Sequence, residues 1–107
     1  MISLISVGIK SYIDKTIQEI ACANLDAEKV YTTFKYVLGR EFSDFSSICL
    51  INVRSSDFIS ILSGIASTFS SENTLIIFFS CHAVQNNEEF NLVFSDEDGS
   101  GRGQINI

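Results

Sequence analysis

The 107-residue chain predicts an α/β domain, a mostly parallel sheet with helices on both faces. Three observations carry this. Short runs rich in branched and apolar residues, at positions 2–8, 47–53 and 75–79, read as strands. Two amphipathic stretches separate them, at positions 24–38 and 55–69. No proline interrupts any of these segments. Strand, helix, strand, helix, strand makes two βαβ units, and such crossovers place successive strands parallel in one sheet.

The first strand, Ile2 to Gly8, alternates as I-S-L-I-S-V-G. Positions 13–23 show no clear period. From Asn24 to Leu38 the residues Ala27, Val30, Phe34, Val37 and Leu38 share one helical face, with Asn24 or Asp26 suited to cap its start and Gly39 its end. Ser47 to Val53 is the second strand. Ser55 or Ser56 suits the next N-cap, and Phe58, Ile61, Leu62, Ile65, Ala66 and Phe69 form the cleanest apolar stripe of the chain. The run Leu75 to Phe79 reads as a strand buried on both faces. Beyond it come a polar loop at Gln85–Glu89, a fourth short strand at Phe90–Phe94 and a loop, Ser95–Gly103, holding three acids and three glycines.

The only histidine, His82, falls just past the carboxyl end of the third strand. That is where open α/β sheets gather ligands, and histidine is the side chain best suited to move protons near neutrality. Taken alone, such a histidine reads equally well as a surface or satisfied core group. Of the three cysteines, Cys49 lies in a strand and reads as core, and Cys22 as structural or loop-exposed. Cys81 is the extended neighbour of His82, so their side chains should point to opposite sides. One histidine and scattered cysteines make no zinc pattern.

The text Ser80-Cys81-His82-Ala83 after an apolar strand resembles the S-G-H-G of the caspase and metacaspase cysteine peptidases (clan CD, peptidase C14-like), with both glycines replaced. Gly8, Ile9 and Tyr12 resemble the family's G-I-N-x-Y after the first strand. Asp26-Ala27 resembles the end of its G-C-x-N-D-A, with Cys22 one residue out of register. The resemblance implies a caspase-like three-layer sandwich, of which residues 1–107 are the N-terminal, His-bearing portion. It implies His82 as catalytic base of a cysteine endopeptidase, with the nucleophilic Cys about 50 residues downstream, on a C-terminal part or a separate fragment. It implies Asp26 and Ser80 as substrate-binding residues favouring Arg or Lys at P1. A helix cap would explain Asp26 equally well. Arg102, between glycines, is a candidate site of self-processing.

No resident cofactor is expected. Asp96, Glu97 and Asp98 could ligate calcium, or form a solvated acidic loop. The expected partners are the Cys-bearing remainder, a peptide or protein substrate, and a sensor or regulatory subunit of the kind such proteases carry in bacterial defence. A catalytically inactive caspase-like scaffold is the alternative. A receiver-like domain is disfavoured, because Ser-Cys-His stands where its phosphorylated Asp should end the third strand.

Composition bounds the rest. Apolar residues make up 46% and charged residues 19%, a globular balance. Seven basic and thirteen acidic residues leave a net charge of −6, which argues against a nucleic-acid or anionic-membrane surface. An odd cysteine count without paired spacing fits a reducing cytoplasm.

Overall fold

The computed structural model describes residues 1–107. Its elements are β1 (Ile2–Gly8), α1 (Ala23–Leu38), a 3₁₀ turn at Gly39–Glu41, β2 (Ile48–Ile51), α2 (Ser55–Ala66), β3 (Thr74–Ser80), β4 (Ala83–Asn86), β5 (Glu89–Val93) and β6 (Gln104–Asn106). Strands β2, β1 and β3, in that order, form a parallel sheet. Strands β4, β5 and β6 form a separate antiparallel sheet. No helix is long and apolar enough to cross a membrane.

The central strand is β1, and both its faces are covered. On one face Ser6 Oγ donates to the Ala27 carbonyl at 2.7 Å, so α1 lies against Leu4, Ser6 and Gly8. On the other, Phe58, Ile61, Leu62 and Ile65 of α2 pack into the cluster built on Ile5, Val7 and Leu50. Helix, sheet, helix gives the three expected layers. Gly8 permits the close approach of α1, since a Cβ there would stand 2.5 Å from the Ala23 carbonyl oxygen. Phe58, Phe79 and Phe94 meet at centroid distances of 5.1 to 6.2 Å, joining α2, β3 and the residue after β5 into one core.

Several local expectations are corrected. β3 is not buried on both faces. It is an edge strand, partly exposed along its length, because β1 occupies the middle of the sheet. Val37 stays 71% exposed, since the face of α1 turned to the sheet runs through Ala23 and Ala27. The polar stretch at Gln85–Glu89 is the end and turn of a hairpin, with β4 and β5 paired antiparallel and Asn87 at φ 56°. Neither helix is capped by its own side chain. Asp96 caps α2 instead: its carboxylate accepts Ser55 N–H at 2.8 Å and Ser55 Oγ–H at 2.7 Å.

Candidate active site

β1 and β3 run in register to Gly8 and Ser80, and the Ile9 N–H closes the last rung on the Ser80 carbonyl at 2.9 Å. His82 follows in the gap between the two sheets. Three separate bonds hold it there. Its N–H donates to the Tyr12 hydroxyl at 2.9 Å. Its carbonyl accepts the Val93 N–H at 2.9 Å. Its Nε2 lies 2.6 Å from the Gln18 carbonyl oxygen.

The last contact decides the chemistry of the ring. A backbone carbonyl can only accept, so Nε2 carries the proton. In neutral imidazole the lone pair then sits on Nδ1, which is left as the basic nitrogen. An orienting acceptor on one nitrogen and a free base on the other is the arrangement of histidine in nucleophile-activating sites.

Gln18 is brought to His82 by the irregular segment between β1 and α1. Asn52, in the left-handed region at φ 50°, braces its start: Oδ1 accepts Lys10 N–H at 2.8 Å and Ser11 N–H at 3.2 Å. Ile13 and Asp14 then donate their N–H groups to the carbonyls of Ser95 and Glu97, and Ile20 N–H returns to the Lys10 carbonyl. Sequence reasoning missed Gln18 and Asn52. Gln18 acts through its backbone and leaves no signature. Asn52 had one, an Asn at a strand's end, where that residue tolerates positive φ.

The other expected site residues are spread along the same edge of the sheet. Ser80 pairs with Gly8 in register. Asp26 is exposed in the first turn of α1, which passes over Gly8. The cysteines sit apart in chemistry. Burial raises the thiols of Cys81 and Cys49, and Cys81 packs against the core cluster, while Cys22 is exposed. A raised, buried thiol is a poor nucleophile. An open cleft of about 440 Å³ between the loops after β1 and β2 is lined by Tyr12, Lys15, Asn52 and Arg54 among others. Its two cations disfavour a basic side chain there.

The acidic loop is committed to the protein's own donors. Besides Asp96 on Ser55, the buried Glu97 accepts Gly99 and Gly101 N–H on Oε2 and Gly103 N–H on Oε1, at 2.9 to 3.1 Å. Asp98 takes Ser100 N–H and Oγ–H, which hold its carboxyl below the usual range. The three carboxylates do not converge, and no group of three His, Cys, Asp or Glu is placed to hold a metal ion. They do not fit a calcium site. Arg102 has an exposed side chain near Asp98 at 3.9 Å, but its backbone lies in the turn pinned by Glu97.

No family model matches this chain, and no curated protein does. Among solved structures it is similar to the Drosophila initiator caspase Dronc, with a TM-score of 0.65 and 18% identity over 98% of this chain. The fold is caspase-like. The match spans 37% of the Dronc chain, about a third of its length.

Proposed function

We propose that this chain is the base-bearing part of a caspase-like cysteine endopeptidase, with His82 as general base through Nδ1. One observation supports the reading: the Nε2–H···O=C bond to Gln18, which leaves the Nδ1 lone pair as the basic site of a histidine that follows the carboxyl end of β3. A nucleophilic Cys on a C-terminal part or companion fragment would give its proton to Nδ1 and attack the scissile carbonyl. Asp26 and Ser80 would contact the P1 side chain, where the carboxylate favours Arg or Lys. A sensor or regulatory subunit and a cytoplasmic setting belong to the same proposal.

The test is co-expression with the Cys-bearing remainder and assay of Arg, Lys and Asp peptides. His82→Ala should lower kcat by on the order of 10³-fold or more. Unchanged turnover would overturn the base role. A second reading, a catalytically inactive scaffold, is favoured by the raised thiols of Cys49 and Cys81, which leave those two unsuited to attack. Failure of every complemented preparation to cleave any peptide would establish it instead.

A further inference from the structure

We propose that Tyr12 is the positioning residue for His82, holding the backbone of the base through the phenol oxygen. The inference rests on the reading of His82 as base and adds how that base is kept in place.

The need for a holder follows from the fold. The ladder between β1 and β3 ends at Gly8 and Ser80, and β4 begins at Ala83. His82 therefore lies where neither sheet supplies an acceptor for its N–H. The Tyr12 hydroxyl takes that place at 2.9 Å. A phenol oxygen accepts and donates together. Its own hydrogen is directed at the Ile9 carbonyl, 3.4 Å away, which ties the pair back to the loop after β1. Tyr12 is only 2% exposed, and its ring stands 5.5 Å from the imidazole at a 48° tilt. Burial also raises the phenol's pKa, so the group stays neutral and keeps its hydrogen.

Gln18 and Tyr12 thus divide the work. The Gln18 carbonyl fixes the proton on the ring, and Tyr12 fixes the backbone that carries the ring. Phenylalanine at position 12 would keep the aromatic packing and remove only the oxygen. The His82 N–H would then lose its partner, and the imidazole would no longer be held at one angle to the Gln18 carbonyl.

Because His82 is the only histidine, its ring nitrogens can be read without overlap by ¹⁵N NMR of the labelled chain, alone or bound to its complementing fragment. In the wild type the neutral ring should be chiefly the Nε2–H tautomer. In Tyr12→Phe the population should shift toward Nδ1–H, and His82 amide exchange should accelerate about tenfold. Tyr31→Phe, at the distant contact with Phe42, should change neither. Should Tyr12→Phe fail to fold, a cross-peak in the wild type between the Tyr12 hydroxyl proton and the His82 amide decides, and its absence overturns the proposal. Wild-type Nδ1–H dominance would defeat the base reading itself. Wild-type Nε2–H unchanged in Tyr12→Phe would defeat only the role of Tyr12.

Discussion

The Asp96 carboxylate caps α2 from 41 residues away, taking both the N–H and the hydroxyl of Ser55. The first turn of a helix leaves its N–H groups without intrahelical partners and carries partial positive charge, so an anion there is doubly suited. Asp96→Ala should therefore cost about 1–2 kcal/mol in urea unfolding. Ser55→Ala should cost less, because the N–H bond remains. The double variant should cost less than the sum of the two, since they share one carboxylate. Strict additivity would remove Asp96 as the cap.

Glu97 performs the comparable task for the glycine loop, with three N–H groups on one buried carboxylate. Glu97→Gln keeps the shape but turns an NH₂ toward donors, leaving at least one buried N–H unpaired at about 1–3 kcal/mol. The loop should loosen before the core does. Trypsin cleavage after Arg102, whose side chain is exposed, should be slow in the wild type and accelerate severalfold in Glu97→Gln. Equal rates would mean that the hydrogen bonds do not restrain that peptide bond.

These two carboxylates mark what the sequence could not show. Elements β1, α1 and α2 were legible from their hydrophobic period, and β2 and β3 from short apolar runs between turn signals. Gly39 ends α1 at positive φ as its text suggests, but the N-caps differ, because the group that serves α2 comes from a loop beyond β5 and local text cannot contain it. β4 escaped because Val84 and Gln85 belong to an exposed hairpin with little apolar pattern. β3 was read as doubly buried because its composition speaks of burial while its place in the sheet depends on strand order. The placement of His82 just past the carboxyl end of β3 was legible from the text, whereas its ring contact comes from the Gln18 carbonyl, which any residue could supply.

Gly8 is a sharper test of how α1 meets the sheet. A methyl group there would press on the Ala23 carbonyl and, at 3.0 Å, on the Ala27 Cβ. Both are part of a helix that cannot yield locally. Gly8→Ala should destabilise by about 1–3 kcal/mol and displace the first turn of α1. A variant as stable as the parent, with unshifted amide resonances at Ala23 and Ala27, would show that this packing has slack.

The thiols and the buried phenol give a pH dependence with a definite sign. Tyr12, Cys49 and Cys81 all have raised pKa values, chiefly from desolvation. Each is held neutral by the fold more firmly than in the unfolded chain. Their contribution is therefore complete below the ordinary thiol and phenol range and is lost as pH rises through the raised values. Melting temperature should fall on the alkaline side, and less steeply in Cys81→Ser. Alkylation should follow the same order: exposed Cys22 first, Cys49 and Cys81 late and accelerating with pH. Early labelling of Cys81 near neutrality would contradict its packing.

The outer edge of β3 is the final consequence of strand order. Its seven residues, T-L-I-I-F-F-S, pair with β1 on one side only. Ile77 is 36% exposed on that edge strand. Unpaired backbone groups beside apolar side chains form a template for another strand, and a lysine is a common device for blocking one. The open edge predicts concentration-dependent self-association in sedimentation velocity, and Ile77→Lys should shift that equilibrium toward monomer. The loss of stability should stay near 1 kcal/mol, because the side chain is only partly buried. If Ile77→Lys associates as strongly as the parent, self-association runs through another apolar surface, and the 99% exposed Phe45 becomes the next position to substitute.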